Sequence, residues 1–315
     1  MKDYGLKLRH ILIIFIKVTI TTVIFYLLSY YLFVIKIEIH FIDYFTDYIL
    51  PVGLSTLSTT IWIRPKLKLL VFNSNSDPLL FYYFICIGHM TWLMVAAASW
   101  LVLATNPLIS LNNVQESENI KTRFYKIEDY TIDTRNTSFS YSIEKIKKER
   151  YYYMDLYFVA PFLIRDKNGY SDNYKYWIIK EYYNKQSTDI DKELRNKYFD
   201  DFIKTAEKDF KERGYAYHAN HFERIMYSIE KKHALKAIHK ITPGIRDKDV
   251  IVFISSQKDL GYEKRRVQKI IYIASLSGIL TLMLTLIFPG FNHRKLKSFA
   301  GKNPLSEIVN LLFKN

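Results

Sequence analysis

"FTDYILPVGLSTLSTTIWI" occupies residues 45–63, and whether it crosses a membrane decides how the whole chain is organised. The run is apolar at both ends and interrupted by Pro51 and Gly53. Five Ser/Thr follow, and it stops abruptly at "RPKLK". Three cleaner apolar runs surround it, at 11–34, 79–104 and 270–290. Each is long enough to cross a hydrocarbon core of about 30 Å as a helix, which takes roughly 20 residues. The first follows "MKDYGLKLRH", which looks like the positive start of a secretory signal. It is longer than the roughly 7–15 residues of a signal core, and no small-residue cleavage site follows, so it reads as a retained span. Lys17 lies near one end of that run and snorkels.

Counting 45–63 as a span makes the chain a multi-pass α-helical membrane protein with four transmembrane helices. Residues 1–104 then hold the N-terminal tail and helices 1–3, and 105–269 form an inserted extracytoplasmic α+β domain. The fourth helix occupies 270–290, and 291–315 form a basic cytoplasmic tail. In that tail "NPLSEIVNLLFK" reads as a short amphipathic interfacial helix. Asn303 caps it, Pro304 takes the first position, and Leu305, Ile308, Val309 and Leu312 share a face.

The formal net charge is +14. Basic clusters at Lys2–Arg9, Arg64–Lys68 and Arg294–Lys302 fall on one side if both termini are cytoplasmic, the arrangement that the positive-inside rule favours; "EKRRVQK" just before the last span opposes it, but the rule governs long translocated domains only weakly. No basic-aromatic repeat or nucleic-acid module is visible, so no nucleic-acid partner is expected. The lipid bilayer is the first partner implied; the sequence leaves the oligomeric state open.

Within 105–269, "RFYKIEDYTID", "SFSYSIE", "YMDLYFVAPFLI" and "YKYWIIKEYY" read as strands, with turn chemistry in "RDKNGYSDN". "STDIDKELRNKYFDDFIKTAEKDFKERG" is an amphipathic helix with Ile190, Leu194, Phe199, Phe202, Ile203, Ala206 and Phe210 on one stripe. "DVIVFISS" is a closing strand. Strands, then a helix, then a closing strand suggest a largely antiparallel sheet.

Candidate chemistry is sparse. Gly53-Leu54-Ser55 lies at membrane depth, and His89 lies at comparable depth in the 79–104 run, so Ser55 and His89 are the candidate nucleophile and base. Helix packing explains both at least as well, because Ser, Thr and Gly allow close approach between membrane helices. His218 and His221, in "HANHFE", are candidate metal ligands, but in a strand they point to opposite faces. His233 and His239 are six apart and would not share a helical face. The one cysteine, Cys86, excludes a disulfide within the chain. No phosphate loop or nucleotide fingerprint is present, and no cofactor is expected.

"ILPVGLSTLSTTIWIRPKLKLL", "KTRFYKIEDYTIDTRNTSF" and "YMDLYFVAPF" together resemble the N-terminal membrane module of long bacterial rhomboid-family intramembrane proteases. The resemblance covers about residues 10–300. In that family catalysis belongs to a C-terminal six-span domain with a G-x-S-G serine. Here Thr56 stands where the second glycine would be, and the sequence given ends at Asn315, so no catalytic residue carries over. The resemblance implies a non-catalytic sensor, interaction or accessory module of the bacterial inner membrane. It would bind a rhomboid protease, another protein or an envelope component through its outward (periplasmic) domain. The alternatives are a rhomboid-like serine protease using Ser55 and His89, and a transporter or channel subunit.

Overall fold

The structure is a computed structural model that describes residues 3–37, 45–72, 78–145, 150–166, 169–171, 174–214, 219–226 and 228–299. The expected interfacial helix at 303–312 lies outside the described residues. The chain forms two units: Met1–Ala104 with Glu263–Asn315, and Thr105–Tyr262. In chain order the first carries α1 (Tyr4–Lys36), α2 (45–67), β1 (Leu70–Val71) and α3 (Leu79–Thr105). The second begins with β2 (Leu108–Leu111), β3 (Phe124–Ile127), β4 (Thr131–Ile132), β5 (Ser138–Lys145), β6 (Tyr151–Asp166), β7 (Gly169–Ser171) and β8 (Tyr176–Ser187). It continues with α4 (Lys192–Asp209), β9 (His221–Arg224), α5 (Ile229–Ile241) and β10 (Ile251–Ser256). The chain then returns to the helical unit through α6 (Leu260–Thr285), β11 (Gly290–Phe291) and α7 (His293–Phe299).

Among the described residues, three helices are long and apolar enough to cross a membrane: α1, α3 and α6. The expectation of four transmembrane helices is therefore corrected to three. The 45–63 run is helical, as part of α2, but Thr46, Asp47, Pro51, Gly53 and the Ser/Thr series dilute its apolarity. Those hydroxyls join α2 to its neighbours. Thr22 Oγ1 donates to Ser58 Oγ at 2.9 Å, Thr60 Oγ1 lies 2.5 Å from the Tyr83 hydroxyl, and Tyr26 donates to the Thr46 carbonyl at 3.0 Å. Away from water each hydroxyl needs such a partner. α6, the last of the three, also starts earlier than 270, because "EKRRVQK" is helical and continues into the apolar run.

One end of the helical unit is closed by residues far apart in sequence. β1 pairs antiparallel with β11 in the register Leu70↔Phe291, and Asn292 N donates to the Leu69 carbonyl at 2.9 Å. Lys7 is 5% exposed, and its Nζ donates to the Pro289 carbonyl at 2.8 Å. Tyr82, at the start of α3, donates to the Thr285 carbonyl at 2.6 Å. Asp3 pairs with His293 at 3.1 Å. The basic clusters around Lys7–Arg9, Arg64–Lys68 and Arg294–Lys295 all adjoin this closure.

The sheet unit also departs from expectation. Its sheet has nine strands in the order β2-β3-β9-β10-β8-β6, with β4 and β5 on the far edge of β6 and β7 paired to the end of β6 as the return of its hairpin. Most of its pairings are antiparallel, as expected, but the sheet is mixed: β10 runs parallel to β8 and β2 parallel to β3. The reason is the position of β10, which enters between β8 and β9 as an interior strand, and its Ile-Val-Phe-Ile run suits burial on both faces. Alternation sorts the side chains. Leu156, Phe158, Ala160, Phe162, Tyr176 and Ile178 pack with Ala206 and Phe210, at the α4 end of the core. Tyr157, Val159, Trp177 and Ile179 pack with Ala234, Ala237 and Ile238 of α5 on the opposite face. Ser228 caps α5 by accepting from Lys231 N at 3.2 Å, and Gly244 supplies the positive φ of 92° in the turn beyond it. The expected stripe of α4 buries Phe199, Ala206 and Phe210, whereas Leu194 stays exposed.

Phe158 is fully enclosed by Phe139, Tyr182 and Phe210. Phe158→Ala is expected to destabilise the sheet unit by about 3–5 kcal/mol, the usual cost of emptying a buried aromatic site. Denaturant unfolding of the solubilised full chain measures this, and the shift should appear in the midpoint.

Candidate functional site

Ser55 and His89 are not brought together. Ser55, on α2, is fully buried; its Oγ donates to the Val52 carbonyl at 3.0 Å and lies 2.8 Å from Thr91 Oγ1 on α3. Thr91 and His89 are two residues apart on one helix, which places them about 200° apart around its axis. His89 accordingly faces α6, where a Cβ built on Gly278 would lie 3.1 Å from its Cγ. The serine proton is held by a carbonyl of its own helix, and the imidazole fills a groove left by a glycine. Both residues pack helices.

His218 lies outside the described residues. His221, on β9, is buried with its ring edge-on to Phe124, the centroids 5.6 Å apart. Burial holds its pKa below the ordinary histidine value, against the opposing pull of Glu223. Among the described residues no group of three or more His, Cys, Asp and Glu could hold a metal ion.

The structure assembles a serine–histidine contact elsewhere. Ser140 of β5 donates to the His233 carbonyl at 2.8 Å, and its Oγ is 3.2 Å from His233 Nδ1. The His233 ring stacks on Tyr157 at 4.5 Å. Because the hydroxyl hydrogen goes to the carbonyl, Nδ1 serves as donor toward Oγ, the reverse of what nucleophile activation requires. This contact ties β5 to α5. Beside it, burial pushes the Glu181 carboxyl above its ordinary value, with Glu230 and Asp155 adding to the effect and a hydrogen bond with Tyr157 opposing it. Sequence inspection could not find this cluster. Ser140 and His233 are 93 residues apart, and only the strand alternation of "SFSYSIE" hints that Ser140 faces inward. Other carboxylates are tied into the fold as well. Asp209 accepts from Lys180 at 3.0 Å and Tyr182 at 2.8 Å, and Glu118 accepts from Lys175 at 2.8 Å and from Tyr176.

These features define a protein with a membrane-type helical unit and a separate unit built on a mixed sheet with helices packed on both faces. Compared with protein-family models, curated proteins and solved structures, the chain matches none of them.

Two outcomes follow from this geometry. Gly278→Val forces a side chain against His89, so the helical unit should lose thermal stability in detergent, and His89→Ala should restore most of the loss in the double variant. Acidification should destabilise the sheet unit between about pH 7.5 and about pH 5.5. Burial holds His221 and His233 below their ordinary value, so the unfolded chain takes up protons that the folded chain refuses as pH falls through the histidine range. Glu181, shifted the other way, offsets part of this only in the more acidic part of that range. Denaturation midpoints across the range should show a smaller slope for His233→Gln.

Proposed function

We propose that the chain is a non-catalytic protein of the bacterial cytoplasmic membrane, an accessory or sensor module related to rhomboid-family proteins. Its sheet unit lies outside the cytoplasm and binds a protein or another envelope component. The observation that carries this reading is the gathering of the basic clusters at the β1–β11 closure of the helical unit. Lys and Arg concentrate at cytoplasmic ends of membrane helices, so this end is assigned to the cytoplasm. α2 runs antiparallel to α1, from Thr46 beside Tyr26 to Ser58 beside Thr22, and so returns the chain to this end packed against α1 and α3 rather than as a lipid-facing span. The chain leaves again along α3, whose start is tied to Thr285 by Tyr82, and emerges on the other side at Thr105. The non-catalytic part of the reading rests on the separation of Ser55 from His89. The rhomboid association rests on the sequence resemblance.

Reporter fusions test the placement. Alkaline phosphatase should be active when fused after residue 150, and a fluorescent protein should be bright when fused after residue 70; the opposite pattern overturns it. Crosslinking and affinity purification from native membranes should recover an envelope partner, and recovery of the chain alone across growth conditions counts against an accessory role. Labelling by a fluorophosphonate probe that is lost in Ser55→Ala would establish the catalytic alternative.

A further inference from the structure

The register of the sheet leaves part of it without neighbours. β10 pairs with β8 only as far as Ile254↔Ile179. β8 runs on to Ser187, still paired with β6 down to Tyr151, and β5 accompanies them to Lys145. At about 3.3 Å per residue, this three-stranded ribbon extends on the order of 20 Å past the ladder with β10.

The ribbon end has an unusual surface. On one face Tyr151, Tyr153 and Tyr183 lie together, with Tyr153 and Tyr183 stacked at 6.0 Å. Lys185 Nζ lies 3.8 Å from the Tyr151 ring centroid and 5.4 Å from that of Tyr153. On the opposite face Tyr152 has Arg195 at 4.3 Å and Lys145 at 5.4 Å. Tyr151 and Tyr183 are 40% and 57% exposed. Elsewhere in the sheet unit Arg123, Lys175, Lys180 and Arg246 each pair with a carboxylate. Lys145, Lys185 and Arg195 make no ion pair among the described residues. They lie against phenol rings instead, and the one carboxylate in the Lys185 row, Glu144, is two strands away across Tyr153.

We propose that this ribbon end is the binding surface of the sheet unit and that its ligand is an anionic polysaccharide of the cell envelope. Ring faces at alternate strand positions stack on the flat C–H faces of successive sugars. The ammonium and guanidinium groups of Lys145, Lys185 and Arg195, which no carboxylate holds in an ion pair among the described residues, meet the carboxylate or phosphate groups along the polymer. Charge complementarity selects an acidic partner. The aromatic residues are all tyrosines, whose hydroxyls hydrogen-bond to polyols, and among the described residues the large aliphatic side chains exposed near them are Ile143 and Leu194, too few for insertion into lipid. The choice of a glycan over a nucleic acid rests on the outward placement proposed above.

Binding is measured with the full chain in zwitterionic nanodiscs, using polygalacturonate as the probe and neutral dextran of similar size as the control. Polygalacturonate should bind, dextran should not, and added salt should weaken the complex. Lys185→Glu with Arg195→Glu should abolish binding, and Tyr183→Ala should weaken it about tenfold, the scale of one aromatic contact. Thermal unfolding of each variant should match the parent, since these side chains are partly exposed. Equal binding of dextran overturns the proposal, as does an unchanged affinity in Tyr183→Ala, which would reduce the surface to a simple cation exchanger. Tighter binding of single-stranded DNA or of anionic vesicles at the same residues also overturns it. A separate measurement reads the placement: Tyr183→Cys should be labelled by an impermeant maleimide on intact spheroplasts. Failure there overturns the outward reading, whereas the nanodisc assay tests the surface itself.

Discussion

β10 is the strand on which the sheet unit depends, because both of its backbone edges are paired and both of its faces are covered. It is parallel to β8 on one side and antiparallel to β9 on the other. Phe253 joins the core that holds Ala206 and Phe210, and Val252 joins the core against α5. Removing it would leave two ribbons, β2-β3-β9 and β8-β6 with its companions, each with an open edge of unpaired N–H and C=O groups. β10 is also the last strand of the sheet in sequence. Its pairing with Tyr176–Ile179 spans some seventy residues of chain, so the sheet completes through non-local contacts.

Much of this could be read from the sequence, but not the neighbours. The apolar runs at β6 and β8 announce strands, and the spacing of Phe199, Ala206 and Phe210 announces a helix with one buried face. "DVIVFISS" reads as a strand because it is short, β-branched and apolar. Such a run reports burial on both faces and says nothing about which strand lies on either side, so the parallel pairing with β8 was not legible. β2, β4, β7 and β9 have two to four residues each, too few to show a period. The Ser140–His233 contact depends on that unread topology. The tyrosines of the ribbon end were plain in the sequence, but their contacts with Lys185 exist only once β6 and β8 are in register.

The helical unit corrects a different kind of reading. In sequence, Pro51, Gly53 and the hydroxyl series of α2 read as the close-packing face of the second of four spans. The packing face is there, but the same hydroxyls lower the apolarity of the segment below that of a helix able to face lipid on its own, and α2 packs them against α1 and α3. Thr22–Ser58, Ser55–Thr91 and Thr60–Tyr83 are short contacts between side chains that water does not reach freely. A serine so placed has its proton committed, and the helical period decides which residue meets it. Depth along the helix made Ser55 and His89 look comparable; rotation about the helix axis separates them.

The closure of the helical unit explains why the two ends of the chain are needed together. The last carbonyls of α6 lack donors within their own helix. Tyr4 reaches Met283 at 3.1 Å, Tyr82 reaches Thr285, and Lys7 reaches Pro289, so α1 and α3 provide what α6 cannot. A lysine at this position also complements the negative end of the helix dipole. β11 then adds two residues to β1, giving a short ladder where Pro289 has ended any continuation of the helix. Since α6 follows β10 after a few residues, one stretch of chain supplies the last strand of the sheet and the last of the long apolar helices of the helical unit, so each of the two separate cores needs that stretch to be complete.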